Sequence, residues 1–201
     1  AIWIARLRGK PVVVNYRGGL AADFLGRQAR IARATLAGAS AMIVPSGFLK
    51  AVFARHRIAA EVIPNVVDVL RFRPAKTEAM RDPVAPHIVV ARNLEHLYGN
   101  DVAIRALTIL RQRHAKAWLT LAGSGPEAEP LRRLTEELGI ANAVRFAGRL
   151  DPAEMADLYR SADVVLNPSR ADNTPNSVLE SLACGTPVVT SDRGGAREFV
   201  D

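Results

Sequence analysis

The 201-residue sequence has one cysteine, Cys184, few aromatic residues and no long apolar run. A single cysteine excludes an internal disulfide framework, so a reducing compartment is expected. No apolar stretch approaches the roughly 20 residues of a membrane-spanning helix. Arg6, Arg8 and Lys10 interrupt the first residues, so we do not expect them to form the apolar core of a signal peptide.

Patterns typical of metal and nucleic-acid sites are also missing. The four histidines are widely separated and show no metal-ligand spacing. The 27 Lys and Arg residues outnumber the 20 Asp and Glu residues, and the net charge of +7 favours an anionic partner. That partner could be a phosphate-bearing small molecule, a membrane surface or nucleic acid. Because the basic residues are scattered and not interleaved with aromatics, nucleic acid is not expected.

Short β-rich apolar runs alternate with longer amphipathic stretches along most of the chain. Strands are predicted at residues 11–15, 41–45, 61–64, 87–91, 117–122, 143–146, 163–167 and 187–191. Helices are predicted at residues 24–37, 47–56, 99–113, 126–138, 152–161 and 175–184, with Ser46 as the cap of the second. This alternation indicates an α/β protein with parallel sheet covered by helices on both faces.

Proline and polar residues mark a connection in the middle of the chain. Four prolines lie at positions 64, 74, 83 and 86, as in a linker between two α/β parts. Ligands of open α/β sheets bind at the carboxyl ends of the strands. The connections to examine are therefore those that follow Ala91, Ala122, Phe146 and Asn167.

The connection after Ala122 has the sequence GSGPEA over residues 123–128, which matches a dinucleotide-binding pattern. Glu127 and Glu129 fall in the first turn of the predicted helix, where they would repel a pyrophosphate. No acidic residue ends the next predicted strand, where Ala147, Gly148 and Arg149 stand instead. A tight strand-to-helix turn therefore fits this segment better than the fingerprint of a dehydrogenase.

The connection after Asn167 is more polar and also leads into a predicted helix. Pro175 fits the first helical position and Thr174 its N-cap. The amides of Asn176, Ser177 and Val178 would then lack partners within the helix and be available to an anion.

Glu180 lies among apolar residues in the same predicted helix. An unpaired buried carboxylate is costly, so Glu180 needs a partner if it is buried. Vicinal ribose hydroxyls would suit it, because each can donate a hydrogen bond. The alternative is a glutamate on the solvent-facing side of a surface helix, and the spacing alone leaves both open.

Residues 168–200 resemble the signature of family 4 glycosyltransferases. In that signature an acid and a glutamate eight positions later precede A-x-G-x-P-V-V and a Gly-Gly turn, and here the acids are Asp172 and Glu180. Five further segments match the family in the same order, at residues 44–46, 63–74, 122–127, 144–148 and 162–169. The resemblance covers residues from about 40 to 201, and the ordered set is specific.

The resemblance implies a GT-B fold of two Rossmann-like domains, here the tail of the first and most of the second. Residues 1–64 would end the acceptor-side domain, residues 65–86 would form the crossover linker, and residues 87–201 would form the nucleotide-sugar-binding domain. The sequence begins without methionine and ends just after an apparent helix start. We therefore expect a fragment that lacks most of the amino-terminal domain and is inactive alone.

The implied activity is retaining transfer of a hexose from a nucleotide-diphosphate sugar to a glycan, lipid-linked or other acceptor. The family normally needs no metal or other cofactor. A cytoplasmic location is implied, and peripheral contact with the inner face of the membrane through the amino-terminal domain stays open. The alternatives are a sugar-nucleotide epimerase and a non-catalytic nucleotide-diphosphate-binding module.

The family motifs also imply roles for individual residues. Arg92 and Asp172 are the candidate catalytic residues, and Arg92 stands where the family binds the diphosphate. Glu180 would hold the donor ribose, and Gly148 and Arg149 would contact the base. Further donor contacts would come from the segment that leads into the helix, at Asn173, Asn176, Ser177 and Val178.

Three positions depart from the family pattern. The usual Lys-Gly after the arginine is Tyr98-Gly99, one residue further along. The first acid is Asp172 instead of glutamate, and Val66 replaces the glycine of the crossover. A second diphosphate-binding cation is therefore missing or supplied elsewhere. Arg92 itself has an alternative interpretation, as a partner of Glu95 in a surface ion pair.

Overall fold

A computed structural model describes residues 1–75 and 82–199 of the chain. The strands are β1 (Val13–Asn15), β2 (Ala41–Val44), β3 (Glu61–Val62), β4 (His87–Ala91), β5 (Trp118–Ala122), β6 (Val144–Gly148), β7 (Val164–Asn167) and β8 (Val188–Thr190). The α-helices are α1 (Ile2–Leu7), α2 (Ala21–Leu36), α3 (Gly47–Arg55), α4 (Asn100–Arg111), α5 (Ala128–Glu137), α6 (Pro152–Ser161) and α7 (Asn176–Ala183). Short 3-10 helices cover His96–Tyr98, Ala141–Ala143 and Ala196–Phe199.

The strands form two parallel sheets, in the orders β1-β2-β3 and β6-β5-β4-β7-β8. Between them, the described residues of the 65–86 segment form neither strand nor helix. The predicted α/β architecture is confirmed, and every predicted strand and helix is present with ends shifted by at most three residues. The sequence patterns did not predict α1 or the three 3-10 helices.

Helices cover both faces of the five-stranded sheet. Ile88 and Val90 of β4 pack in the cluster formed with α4 and α5. Val89, between them, packs with Tyr159 of α6 on the opposite face. Alternation of side chains along a strand requires such a division, and it explains why β4 is apolar at consecutive positions.

The three-stranded sheet has its own small core. Leu25 of α2, Val44 of β2 and Phe53 of α3 are buried together there. Ser46 caps α3 as predicted, and its Oγ accepts a hydrogen bond from the Leu49 amide at 3.2 Å. None of the helices in the described part of the chain has the length and apolar character needed to cross a membrane.

Polar contacts join the two sheet units on one side of the molecule. Ser46 Oγ donates to Asn173 Oδ1 at 2.6 Å. Asn65 Nδ2 donates to the Thr174 carbonyl at 3.0 Å. The Glu198 carboxylate accepts from two amides in the first turn of α3. The polar loop that follows β7 is therefore held between the two units.

Candidate active site

Arg92 and Asp172 meet at the carboxyl ends of neighbouring strands. Arg92 follows β4, and Asp172 lies in the polar loop of residues 168–175 that follows β7. Arg92 Nη2 lies 2.6 Å from Asp172 Oδ2, and the two side chains are only 13% and 11% exposed. The alternative surface pair with Glu95 is wrong, because Glu95 instead accepts a hydrogen bond from Asn93.

Arg92 has a hydrogen-bond donor without an acceptor in the described part of the chain. Its guanidinium carbon lies 4.1 Å from the centroid of the Tyr98 ring. Its Nε is buried and has no acceptor among the described residues. Asp172 Oδ1 also accepts from the Asn173 amide at 2.8 Å, so the carboxylate is held from two sides. A buried arginine donor without an acceptor is a feature expected of an anion-binding site.

Glu180 faces a cleft, so the alternative of a solvent-facing glutamate is wrong. Its carboxylate accepts a hydrogen bond from the Tyr159 hydroxyl at 3.2 Å, and it lines the same cleft as Arg92. Burial raises the pKa of Glu180, and the hydrogen bond from Tyr159 opposes that rise. Burial and the adjacent Glu180 carboxyl raise the pKa of Tyr159, which therefore stays a protonated donor.

Helix α7 begins one residue later than predicted. Pro175, with φ −68° and ψ 117°, is the N-cap, and Asn176 is the first helical residue. The predicted Thr174 cap is wrong, and the Thr174 hydroxyl is buried without a partner among the described residues. The φ of proline is compatible with both the cap and the first helical position, so the sequence pattern could not separate them.

The free amides at the start of α7 are fewer than predicted. The Val178 amide donates to the Pro175 carbonyl at 3.1 Å, and the Val178 side chain is fully buried. The prediction that the Val178 amide is free is therefore wrong, whereas its role in donor binding stays a prediction. The amide of Asn173 is occupied by Asp172. Among the described residues, the amides of Asn176 and Ser177 have no acceptor, and both residues line the cleft.

Two polar clefts share Arg92 and Asn176. The first, of about 310 Å³, lies within the five-stranded unit and contains Tyr98, Arg149, Ser177 and Glu180. The second, of about 400 Å³, lies between the two units. Its polar lining residues are Arg17, Asn65, Arg92, Asp172, Asn173, Thr174 and Asn176.

A third, apolar cavity of about 510 Å³ lies beside α4, β7 and β8. Arg113 is the one titratable residue that lines it. It is larger than either polar cleft, yet it offers little chemistry for binding a charged substrate. We therefore place the site in the two polar clefts.

Gly148 and Arg149 lie at the end of β6, at the edge of the first cleft. Gly148 adopts φ +71°, and its carbonyl accepts a hydrogen bond from the Gly123 amide at 2.7 Å. Arg149 lines the cleft together with Leu150 and Met155, which add apolar surface to an otherwise polar lining. This arrangement could receive a flat, partly apolar group such as a base.

The glycine-rich turn after β5 packs against protein backbone. The Leu94 amide donates to the Ser124 carbonyl at 3.0 Å, and the Glu127 amide donates to the Leu94 carbonyl at 2.9 Å. A Cβ on Gly125 would lie 2.7 Å from the Leu94 carbonyl carbon and closer still to its oxygen. The tight-turn interpretation is confirmed, and the turn supports the segment that follows Arg92.

Sequence reasoning missed three residues of the clefts. Tyr159 received no role from the sequence, and it contributes both to the core and to the first cleft. Asn65 lies in the family segment at residues 63–74, which gave it no role in the site. In the structure it donates to both Thr174 and Asn176. Arg17, whose guanidinium donates to Asn65, had no signal in the sequence.

Metal-ligand clusters are absent from residues 1–75 and 82–199. No group of three or more His, Cys, Asp or Glu side chains there could hold an ion. The positive charge that the two clefts present comes from Arg92, from Arg149 in the first cleft, from Arg17 in the second and from the start of α7.

Comparison with known proteins gives a family match. Residues 76–201 match the sequence profile of a family described as Glycosyl transferases group 1. The chain is 36% identical over 158 residues to the D-inositol 3-phosphate glycosyltransferase of Corynebacterium jeikeium, which covers 71% of this chain and 38% of that protein. It is 34% identical over 153 residues to a GDP-mannose-dependent alpha-(1-6)-phosphatidylinositol monomannoside mannosyltransferase of Mycobacterium tuberculosis, over 70% of this chain and 40% of that protein.

The fold has a counterpart among solved structures. Anabaena Alr3699/HepE, crystallised in complex with UDP and glucose, matches with a TM-score of 0.84 and 21% identity over 100% of this chain and 58% of that chain. The likeness confirms the predicted GT-B fold. The present chain spans about two fifths of the length of the curated relatives named above.

Proposed function

The chain belongs to the group 1 glycosyl transferases, and from this premise we propose that the complete protein transfers a hexose from a nucleotide-diphosphate sugar to an acceptor, with retention of anomeric configuration. The acceptor class is a glycan, a lipid-linked glycan or another hydroxyl compound. One observation carries the proposal: a buried arginine, two acids and two free helix amides converge on adjoining clefts.

The residues of the clefts match the parts of such a donor. The diphosphate needs positive charge and hydrogen-bond donors, which Arg92 and the amides of Asn176 and Ser177 supply. The ribose hydroxyls need an acceptor, and the Glu180 carboxylate provides one. The base would then lie toward Gly148 and Arg149, at the edge of the first cleft.

The transferred sugar would occupy the second cleft, beside Asp172 and Asn173. When the glycosidic bond breaks, negative charge develops on the leaving diphosphate. Arg92 and the start of α7 are already positioned where that charge forms, so they stabilise the transition state without reorganisation. We propose that the reaction proceeds without a metal or other cofactor, because these groups meet the requirement for positive charge.

The three-stranded unit would supply the acceptor side of the second cleft. Arg17, Pro45 and Asn65 follow β1, β2 and β3 and line that cleft opposite the polar loop. We propose that residues 1–64 belong to the acceptor-side domain, residues 65–86 to the crossover linker and residues 87–201 to the donor domain. The proposed location is cytoplasmic, with peripheral contact at the inner membrane face when the acceptor is lipid-linked.

Donor binding and transfer test the proposal in two steps on the complete gene product. A thermal-shift screen of UDP and GDP sugars should identify at least one that raises the unfolding temperature, because a ligand that binds only the folded state stabilises it. That donor is then incubated with candidate acceptors, and the anomeric configuration of the product is determined by NMR. Release of the nucleotide with a retained α-linkage from an α-linked donor supports the proposal. Epimerisation of the donor sugar without transfer, or no binding of any nucleotide sugar, would overturn it.

A further inference from the structure

Tyr98 stands close to the position where the family resemblance leads us to expect a lysine. It ends the 3-10 helix His96–Tyr98, and it lines the first cleft together with Arg92 and Glu180. A tyrosine cannot supply a second cation to a diphosphate. The structure nevertheless places its ring against Arg92, with the guanidinium carbon 4.1 Å from the ring centroid.

Arg92 is thereby held on two sides. Its Nη2 lies 2.6 Å from Asp172 Oδ2, and its planar group rests on the Tyr98 ring. The Nε stays buried without an acceptor in the described part of the chain. An arginine fixed in this way has already lost side-chain freedom before any ligand arrives, so it loses less on binding.

The Tyr98 ring is itself fixed by contacts between its 3-10 helix and the polar loop. The two guanidinium nitrogens of Arg170 donate to the two carboxylate oxygens of Asp101 at 2.9 and 2.7 Å. Arg170 also donates to the His96 carbonyl at 2.7 Å, and its own amide donates to the Leu97 carbonyl at 2.9 Å. The segment that carries Tyr98 and the loop that carries Asp172 are therefore tied together beside Arg92.

Gly99 brings these two segments into contact. It adopts φ +65°, and a Cβ there would lie 3.0 Å from the Pro168 carbonyl carbon and closer still to its oxygen. Only glycine accommodates both the backbone conformation and the close approach. The Tyr98 hydroxyl makes no hydrogen bond to any described residue, so the contact with Arg92 involves the ring and not the phenol.

We propose that Tyr98 is a positioning residue for Arg92, and that its ring holds the guanidinium in place to bind the donor diphosphate. The inference rests on the proposed function, since it concerns how that donor is bound. Preorganisation of Arg92 then offsets the missing lysine of the family pattern. Tyr98 contributes through cation–π contact and packing, and the charge itself belongs to Arg92.

The test compares nucleoside diphosphates with the nucleosides that lack the phosphates. Binding of UDP and GDP is measured by calorimetry, and binding of uridine and guanosine by ligand-observed NMR, for wild-type protein, Tyr98→Phe, Tyr98→Leu and Tyr98→Met. We expect Tyr98→Phe to stay within about twofold of wild type, because the aromatic face remains. Tyr98→Leu and Tyr98→Met should weaken the better diphosphate about fivefold or more and leave nucleoside affinity unchanged.

A double-mutant cycle with Arg92→Gln separates positioning from a general structural effect. Once the guanidinium is absent, Tyr98→Leu should cause no further loss of diphosphate affinity. Equal weakening of diphosphate and nucleoside, or wild-type diphosphate affinity in Tyr98→Leu, would overturn the inference and leave the proposed function standing. If wild-type protein binds no nucleoside diphosphate or nucleotide sugar, the proposed function fails and the inference fails with it.

Discussion

Two strand-to-helix connections of the five-stranded sheet differ in the ligand-binding role that their sequences suggest and in the contacts that they make in the structure. The turn after β5 carries Gly123, Ser124 and Gly125, and it looks like a phosphate-binding fingerprint. The loop after β7 has no glycine between residues 168 and 175 and carries polar side chains instead. In the structure, the glycine turn is bonded to the backbone at Leu94, whereas the polar loop borders the clefts.

The difference lies in which hydrogen-bonding groups remain unsatisfied. Around the glycine turn, the amides of Gly123, Leu94 and Glu127 donate to protein carbonyls, whereas the amides of Ser124 and Gly125 have no acceptor among the described residues. No side chain of the turn, however, has a buried polar atom without a partner in the described part of the chain. Around the polar loop, buried atoms of Arg92 and Thr174 lack hydrogen-bond partners within the described residues. Unsatisfied buried polar atoms are rare in folded proteins, so they indicate a binding site better than glycine spacing does.

Replacing Gly125 with alanine tests the structural role of the turn and should have the largest effect. The added methyl would overlap the Leu94 backbone, which cannot move without disturbing two hydrogen bonds. We expect the free energy of unfolding to fall by about 2 kcal/mol or more, measured by urea denaturation. Gly26→Ala in α2 is the control, because nothing lies within 4 Å of its Cβ, and alanine there should increase stability slightly. Unchanged stability with lost nucleotide affinity would show that the turn binds the ligand after all.

Arg92→Lys tests whether the arginine beside the polar loop binds the donor diphosphate. A lysine can still pair with Asp172, so folding stability should be nearly unchanged, but it cannot reproduce the planar fork that binds two phosphate oxygens. We expect turnover of the complete enzyme to fall about tenfold or more, because stabilisation of the leaving diphosphate is lost. The control is Arg71→Lys, since Arg71 forms a half-exposed pair with Asp68. Wild-type turnover in the Arg92 variant would remove Arg92 from the site.

Glu180→Gln removes the charge that accepts ribose hydroxyls and keeps the shape of the side chain. Hydrogen bonds to charged groups contribute about 1.5–3 kcal/mol, so nucleotide affinity should fall about tenfold by calorimetry. Glu129→Gln, on the exposed first turn of α5, is the matched control and should bind as wild type does. Equal affinities of the Glu180 variant and wild type would exclude Glu180 from ribose binding.

The raised pKa of Glu180 also predicts that stability and nucleotide affinity depend on pH, with an effect smaller than that of the substitutions above. Because burial raises the pKa of Glu180 in the folded protein, protonation begins above the range usual for glutamate. The folded state takes up the proton more readily than the unfolded chain does. Burying the charged carboxylate lowers the free energy of unfolding. This loss of stability is complete at pH values above the folded-state pKa of Glu180 and disappears at pH values below the ordinary pKa of glutamate.

Ribose binding requires the charged form, so nucleotide affinity should fall about threefold as the pH is lowered from 7 toward 5. Calorimetric titrations of Glu180→Gln over the same range correct for protonation of the nucleotide itself. A wild-type profile that parallels the variant would contradict the assignment.

Much of the fold followed from hydrophobic periodicity and turn residues. The short apolar runs at β4 and its neighbours predicted the strands of the sheet. Ser46 was predicted as a cap because its hydroxyl precedes an apolar helical pattern. The N-cap of α7 was misplaced by one residue because proline suits two positions. That shift determined which amides are free, so the prediction of a free Val178 amide was wrong.

The contacts that join distant segments could not be read from the sequence. The family motifs named Arg92, Asp172 and Glu180, but not the pairing of Arg92 with Asp172 or the stacking of Tyr98 on Arg92. Arg92 and Asp172 are 80 positions apart and meet because β4 and β7 are neighbours in the sheet. Tyr98 lies only six positions from Arg92, and its ring is placed by the 3-10 helix that it ends. Tyr159 contributes both to the core and to the cleft, and a buried aromatic pattern reports only the first role.

A crystal structure of the wild-type protein with the nucleoside diphosphate that binds most tightly would test the central claim most directly. We expect the diphosphate within hydrogen-bond distance of Arg92 and of the amides of Asn176 and Ser177, with the ribose hydroxyls on Glu180. A diphosphate bound by the amides of Ser124 and Gly125, with Arg92 still paired only to Asp172, would contradict the assignment of the site.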